Sequence, residues 1–208
     1  MWMWANREMV QVLNWLKSFN GRGDDKGDKD KISFYGLDVY SLFESIDEVL
    51  REVEKFDGDL AKRIRENYDC FRPYRRDENE YLRSLYDMPD GCRREVLDNL
   101  QALLKLRLET IAEQQETWFD AVQNARVIKN AESYYRAMIM PDDKSWNIRD
   151  EHMTETLEIL LRAHGSTSKG IVWAHNTHIG DHRATDMLEH GHVNISGLAR
   201  ERLGVENV

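Results

Sequence analysis

A short apolar run that changes abruptly to polar residues is the feature that most limits how this chain can fold. Residues 171–174 read Ile-Val-Trp-Ala, and His175, Asn176, Thr177 and His178 follow at once. Four apolar residues in a row suit a strand that is buried on both faces. In an open α/β sheet, ligands bind beyond the carboxyl ends of the strands. The pattern therefore predicts a strand that delivers two histidines, His175 and His178, to a functional site.

A second strand is predicted at residues 32–36, directly before a polar turn that contains Asp38 and Tyr40. Two parallel strands place their carboxyl ends at the same edge of a sheet. Asp38 and Tyr40 are therefore expected at the edge that carries His175. In such folds the functional side chains lie on loops that a rigid scaffold positions. Asp38, Tyr40 and His175 are therefore candidate site residues.

The long connection between the two predicted strands is expected to be helical. Between Arg93 and Met140 an apolar stripe runs with almost no breaker, which predicts one long helix or two nearly collinear ones that pack into a core. The expected fold is α/β and predominantly helical, with short parallel strands in a small sheet. The chain is expected to form a single domain over residues 1–208, with a helical lobe of about residues 42–140 inserted between the strands near 32–36 and 170–174.

Charge and cysteine content exclude some classes of protein and leave others open. The formal net charge is −9 and no basic stripe stands out, which argues against a protein that binds a nucleic-acid backbone. No apolar run approaches the ~20 residues of a membrane span, so no membrane association is expected. The two cysteines, Cys70 and Cys92, suggest no disulfide framework and fit a reducing compartment. A cytoplasmic location is therefore expected.

All seven histidines lie between His152 and His192, which raises the question of a metal site. His175 and His178 have Asp181 and His182 nearby, but the spacing matches no established metal motif and no cysteine pair is close. Acid–base catalysis is the stronger interpretation, because histidine is the side chain that titrates near neutral pH. A second histidine can also donate to a developing oxyanion. Neither a metal nor another cofactor is expected.

Several further residues are candidates for contact with a substrate. Arg149 and Asp150 begin a predicted helix, where helix capping with a surface ion pair is an equally open interpretation. Asn176 lies between the two histidines. Trp4 and Asn6 occupy adjacent faces of a predicted first helix that ends near Phe19, although tryptophan is more often a core residue than a binding wall. A serine nucleophile is not supported, because the chain contains no Gly-x-Ser-x-Gly elbow.

Four stretches of the chain together resemble the erythromycin esterase family, which also includes proteins named for succinoglycan biosynthesis. They occur in the family's order and extend over nearly the whole chain: Met3-Trp4-Ala5-Asn6-Arg7-Glu8, Tyr35-Gly36-Leu37-Asp38-Val39-Tyr40, Ser145-Trp146-Asn147-Ile148-Arg149-Asp150 and Val172-Trp173-Ala174-His175-Asn176-Thr177-His178. The resemblance implies an α/β protein with a helical lobe over a cleft. It also implies hydrolysis of a macrolactone ester, a small-molecule substrate, by a water molecule that histidine activates without a required metal.

The resemblance also assigns expected roles to particular residues. His175 and His178 match the family's site histidines near the C-terminus, and Asp38, Arg149 and Asp150 match recurring motif positions. The family's Gly-Glu-x-x-His-Gly turn, which carries its presumed general base, has no counterpart in this sequence. The chain is therefore expected to be a partial member that is weakly active or inactive alone. A non-catalytic remnant or small-molecule-binding module is the main alternative, and a metal-dependent hydrolase is a weaker one.

Overall fold

The computed structural model describes residues 5–21, 31–74, 77–106, 115–140 and 144–208. The chain divides into two compact units, Met1–Gly36 and Leu37–Val208. Most of the described residues are helical, in agreement with the predominantly helical fold that was predicted. Not one of the described helices is long and apolar enough to cross a membrane.

The first unit contains one helix, α1 (Arg7–Asn20), which confirms the helix predicted there. Asn6 caps it, because its side-chain oxygen accepts a hydrogen bond of 2.9 Å from the backbone N–H of Met9. At the other end, the Asn20 amide donates to the carbonyl of Ile32 and accepts from its N–H, each at 2.9 Å. Trp4, the other candidate in this region, lies outside the described residues.

The second unit begins with a group of helices that forms its hydrophobic core. Their bounds are α2 (Leu42–Glu54), α3 (Gly58–Tyr68), a 3₁₀ turn (Asp69–Tyr74), α4 (Glu78–Ser84), α5 (Arg93–Leu106) and α6 (Gln115–Met138). The apolar stripe predicted across α5 and α6 is confirmed as core packing for Val96, Leu103, Ala121, Val122, Ala125 and Ile128, which are all buried. Leu104, an apolar residue of the same stretch, faces solvent instead. Residues 107–114 lie outside the described part.

The rest of the second unit carries most of the candidate site residues. It consists of α7 (Ser145–His164), α8 (Asn176–Ile179), short 3₁₀ turns (His182–Ala184 and Asp186–Leu188), α9 (Ile195–Leu203) and a last 3₁₀ turn (Val205–Asn207). Helix α7 packs against both α6 and α9, and α8 also packs against α9. Gly165 ends α7 with a φ of 95°, a left-handed conformation that glycine adopts without strain.

The predicted small parallel sheet is not confirmed, because the described residues contain no β-strand. Residues 32–36 and 170–174 have no regular secondary structure. In the second segment Ile171 is 99% exposed and Trp173 66% exposed, so these side chains are not buried as an interior strand requires. A strand is stable only when a neighbouring strand pairs with its backbone. The apolar run identified a segment with strand propensity, but no described segment pairs with it.

The expectation that Cys70 and Cys92 form no disulfide is wrong, because the two residues are disulfide-bonded with their Cα atoms 5.9 Å apart. The two cysteines are 22 positions apart in sequence, and α4 lies between them and brings them together. Tyr81 of α4 fixes this arrangement: its hydroxyl accepts from the Cys92 N–H at 3.1 Å and donates to the buried Glu132 at 3.2 Å. Sequence spacing alone could not show this proximity.

Reduction of the disulfide is expected to lower the free energy of unfolding by about 2–3 kcal/mol, because the bond closes a loop of moderate length in the unfolded chain. The measurement is denaturant unfolding with and without dithiothreitol. The C70S/C92A variant is the control, since its stability should not respond to the reductant. Equal stability of the wild-type chain under both conditions would contradict the prediction.

Candidate functional site

Helix α7 and the short helix α8 bring a histidine and a carboxylate together. Nδ1 of His178 lies 2.9 and 3.0 Å from the two carboxylate oxygens of Asp150. Both side chains are buried: that of Asp150 is 0% exposed and that of His178 is 9% exposed. Because a carboxylate only accepts hydrogen bonds, Nδ1 of His178 must carry the proton and donate it to Asp150. Nε2 of His178 then keeps its lone pair.

The environment of Asp150 contains opposing electrostatic effects. Burial raises the pKa of Asp150 above its ordinary value, whereas the hydrogen bond from His178, the N–H of Ile195 and the charge of Arg149 lower it. The Ile195 N–H, at the start of α9, donates to Oδ1 of Asp150 at 3.2 Å. Two donors thus converge on one buried carboxylate, which keeps its geometry fixed and supports its anionic form.

The indole ring of Trp146 covers one face of His178. The two rings are parallel, with 2° between their planes and 4.8 Å between their centroids. The Trp146 indole N–H donates to the carbonyl of Val193 at 2.7 Å. Asn147 holds the same loop, because its amide donates to the Gly191 carbonyl and its oxygen accepts from the Val193 N–H, both at 2.9 Å. These hydrogen bonds hold the first turn of α7 against residues 191–193.

His175 has the opposite arrangement of ring nitrogens. It is exposed and caps α8, with its Nδ1 accepting from the Thr177 N–H at 3.3 Å and lying 3.0 Å from the Thr177 hydroxyl. Because Nδ1 accepts a backbone N–H, the ring proton of neutral His175 lies on Nε2. The two histidines therefore offer different groups, a free lone pair at Nε2 of His178 and an N–H at Nε2 of His175.

The candidates Asp38, Tyr40 and Arg149 form a second cluster and contact each other. Arg149 donates to the Asp38 carboxylate through Nε at 2.8 Å and through Nη2 at 2.7 Å. Its guanidinium carbon also lies 4.7 Å from the centroid of the Tyr40 ring. The hydrogen bonds to Asp38 raise the pKa of Arg149 above its usual range, so this side chain stays charged. The Tyr40 hydroxyl is 2.8 Å from that of Tyr134.

Arg149 and Asp150 are neighbours in α7. The cluster of Asp38, Tyr40 and Arg149 and the dyad of His178 and Asp150 therefore share one rigid helix. Asn176 lies exposed in the first turn of α8, next to the dyad in sequence. Asn6 belongs to the other compact unit, where it caps α1. The described residues contain no group of three or more histidine, cysteine or acidic side chains arranged to hold a metal ion.

Sequence reasoning missed Trp146, Asn147 and Asn194 as parts of the site. Asn194 caps α9 by accepting from the Gly197 N–H at 3.0 Å, and its amide donates to the Thr177 carbonyl at 3.0 Å, so it joins α9 to α8. Trp146 and Asn147 lie in the same motif as Arg149 and Asp150. That shared motif was the one signal in the sequence that could have identified them as site residues. His192 is half-buried, with its ring centroid 6.2 Å from that of Trp146.

His152, two residues after Asp150, is buried on the side of α7 that packs against α6. Its Nδ1 lies 2.6 Å from the Asn130 amide nitrogen, and its Nε2 is sealed from solvent without a hydrogen-bond partner. Burial lowers the pKa of His152 to about 4, so the ring is neutral at physiological pH. This histidine belongs to the interior rather than to the dyad.

Comparisons with known proteins concern the family and the fold. Residues 1–208 match the family model described as erythromycin esterase. A solved structure of a succinoglycan biosynthesis protein aligns with 96% of this chain and 46% of its own, with a TM-score of 0.76 and 20% identity. A Bacillus cereus protein aligns with 97% of this chain and 47% of its own, with a TM-score of 0.75 and 20% identity. The chain thus spans about half the length of these two structures, and the likeness concerns the fold alone.

Proposed function

Because the chain belongs to the erythromycin esterase family, we propose that it is a hydrolase of that type, which cleaves a macrolactone or another carboxylic ester by histidine-assisted attack of water. The observation that carries this proposal is the buried pair of His178 and Asp150, with a bond of 2.9 Å between Nδ1 and the carboxylate. A histidine that is held by a carboxylate at one nitrogen and free at the other is the usual form of a general base.

In the proposed reaction, Nε2 of His178 takes a proton from a water molecule as the water oxygen bonds to the acyl carbon of the ester. Asp150 stabilises the imidazolium that forms. The tetrahedral intermediate then breaks its bond to the alcohol oxygen, and the imidazolium returns the proton to that oxygen. The products are a carboxylic acid and an alcohol, and His178 is neutral again at the end.

His175 is proposed to stabilise the negative charge on the oxygen of the tetrahedral intermediate. Its Nε2 carries the proton because Nδ1 accepts from the Thr177 N–H. It is also exposed, so a bound ester can reach it. A preorganised N–H donor contributes most where charge develops in the transition state. The two histidines thus have distinct proposed roles, His178 as the base and His175 as the donor.

Substrate binding is proposed for the remaining candidates. Arg149, fixed by Asp38, presents a permanent positive charge close to the half-exposed ring of Tyr40, which can contact an apolar part of a substrate. Asn176 can donate and accept hydrogen bonds next to the dyad. Trp4 and Asn6 remain proposed binding residues on the basis of the family resemblance. We also propose a single domain in which about residues 42–140 form the helical lobe.

Slow turnover is expected of this chain alone, because its sequence contains no Gly-Glu-x-x-His-Gly turn. A small-molecule-binding module of the same fold is the second candidate, favoured by the absence of that turn from the sequence. The cytoplasmic location stays a prediction. The Cys70–Cys92 bond argues against it, since disulfides persist in oxidising compartments.

The test is hydrolysis of erythromycin and of a panel of simple esters by the purified chain, followed by mass spectrometry of the products. We expect slow ester cleavage that disappears in His178→Ala, because the proposed base is then missing. His175→Ala should retain a measurable part of the rate. Binding of an ester without turnover in any variant would favour the binding module, and cleavage that survives in His178→Ala would reject the proposed base.

A further inference from the structure

A hydrogen bond at one edge does not by itself fix the plane of a histidine ring. His178 is attached to its backbone through Cγ and held by Asp150 at Nδ1, and changes in its side-chain torsions can still tilt the ring. The direction of Nε2, the atom that would act as base, changes with each such movement. Proton transfer demands hydrogen-bond distance and alignment between base and proton. A second contact that fixes the plane of the ring is therefore needed for the proposed chemistry.

Trp146 supplies such a contact from the face of the ring. Its indole is parallel to the imidazole within 2°, and the centroids are 4.8 Å apart. A parallel aromatic neighbour opposes tilting of the imidazole, because tilting brings atoms of the two rings into collision. The π face of an indole also attracts a cation, so it favours the imidazolium that forms when His178 takes a proton.

The position of Trp146 is itself fixed by the segment that fixes Asp150. The indole N–H donates to Val193 at 2.7 Å, and two residues later the Ile195 N–H donates to Asp150 at 3.2 Å. The side-chain amide of Asn147 donates a hydrogen bond to the carbonyl of Gly191 in the same segment. Both contacts of His178, the carboxylate at its edge and the indole at its face, therefore depend on residues 191–195.

We propose that Trp146 is a positioning residue for His178, which holds the imidazole plane and stabilises its protonated form during ester hydrolysis. This inference rests on the proposed function for its catalytic consequence. Its structural content, a ring held in one orientation by stacking, can be tested without a substrate.

The kinetic test compares variants of Trp146. Trp146→Leu removes the aromatic face, so we expect kcat to fall about tenfold while KM changes by less than about twofold. Trp146→Phe keeps a flat ring and should recover most of kcat, although it loses the bond to Val193. The control is Trp118→Leu: the Trp118 indole N–H also donates to a backbone carbonyl, that of Leu103 at 2.9 Å, but Trp118 packs against the helical core.

The second measurement is hydrogen exchange of the His178 Nδ1 proton, followed by NMR of ¹⁵N-labelled protein. Loss of the stack should speed this exchange about tenfold in Trp146→Leu, because the bond to Asp150 opens more often when the ring can rock. Trp146→Phe and Trp118→Leu should exchange close to the wild-type rate. If Trp146→Leu does not fold, Trp146→Met takes its place, since its side chain fills space without a ring face.

The outcomes separate the two proposals. Faster exchange in Trp146→Leu together with no ester hydrolysis by the wild-type chain would support the positioning of His178 and reject the proposed function. Ester hydrolysis with unchanged kcat and unchanged exchange in Trp146→Leu would reject the positioning role and leave the proposed function intact. Equal effects of Trp146→Leu and Trp118→Leu would also overturn the inference, because they would show a general loss of stability.

Discussion

Asp150→Asn is expected to lower kcat/KM for ester hydrolysis about 1000-fold while the chain remains folded. The asparagine oxygen can still accept from the Ile195 N–H, so the start of α9 keeps its anchor. The amide NH₂ then faces Nδ1 of His178 and donates to it, which moves the ring proton to Nε2. The nitrogen that should take a proton from water would then already carry one, and no anion would stabilise the imidazolium.

The measurement is kcat/KM for whichever ester the wild-type chain hydrolyses, together with the ¹⁵N chemical shifts of His178, which report the position of the ring proton. Asp181→Asn is the matched control, because Asp181 is a carboxylate close to His178 in sequence but pairs with Arg183 at the surface. The double variant His178→Ala/Asp150→Asn should be no worse than His178→Ala alone, since the two residues act as a unit. Full activity in Asp150→Asn would show that His178 does not work through this carboxylate.

Acidification from pH 7 to pH 4 is expected to remove about 3 kcal/mol of stability through His152 alone. Burial lowers the pKa of His152 to about 4 in the folded chain, whereas a histidine in an unfolded chain titrates near its ordinary value of about 6.5. Between these values the unfolded chain binds more protons than the folded one. The contribution of His152 to the free energy of unfolding is therefore fully present above about pH 6.5 and declines as the pH falls towards 4.

The low pKa of His152 arises because its ring is sealed from solvent and has charged side chains nearby. Nε2 has no hydrogen-bond partner, and protonation would place a charge beside Arg126 and Lys129, which disfavour it; Glu155 and Asp38 favour it less strongly than burial opposes it. Burial raises the pKa of Asp120, Glu132 and Asp150, and these carboxyl groups contribute with the opposite sign. Only a comparison with a variant isolates His152.

The measurement is urea unfolding of the wild-type chain and of His152→Gln at several pH values from 7 to 4. Glutamine does not titrate, so the difference in stability between the two proteins should shrink, or reverse, by about 3 kcal/mol as the pH falls. A difference that stays constant over this range would show that His152 is not buried as a neutral ring.

The sequence by itself determined the family and the helical character, and it supplied the candidate site residues. His178, Asp150, Arg149 and Asp38 could all be named because each lies in a motif with an abrupt change from apolar to polar residues or at a helix start. Core positions such as Ile128 were also predictable, because burial of one helix face leaves a periodic pattern in the sequence. Periodicity and motif are local properties, and local properties can be read from a chain.

Only the tertiary structure decided which of these residues meet. Asp150 and His178 are 28 positions apart, and Arg149 and Asp38 are 111 apart, so no spacing rule links them. The disulfide between Cys70 and Cys92 and the stack of Trp146 on His178 are contacts of the same kind. The apolar run at residues 171–174 shows the converse, because strand propensity is realised only where another strand pairs with the segment. Contacts between distant residues depend on the packing of whole helices. That packing determined which nitrogen of His178 carries the ring proton, and hence the role proposed for this residue.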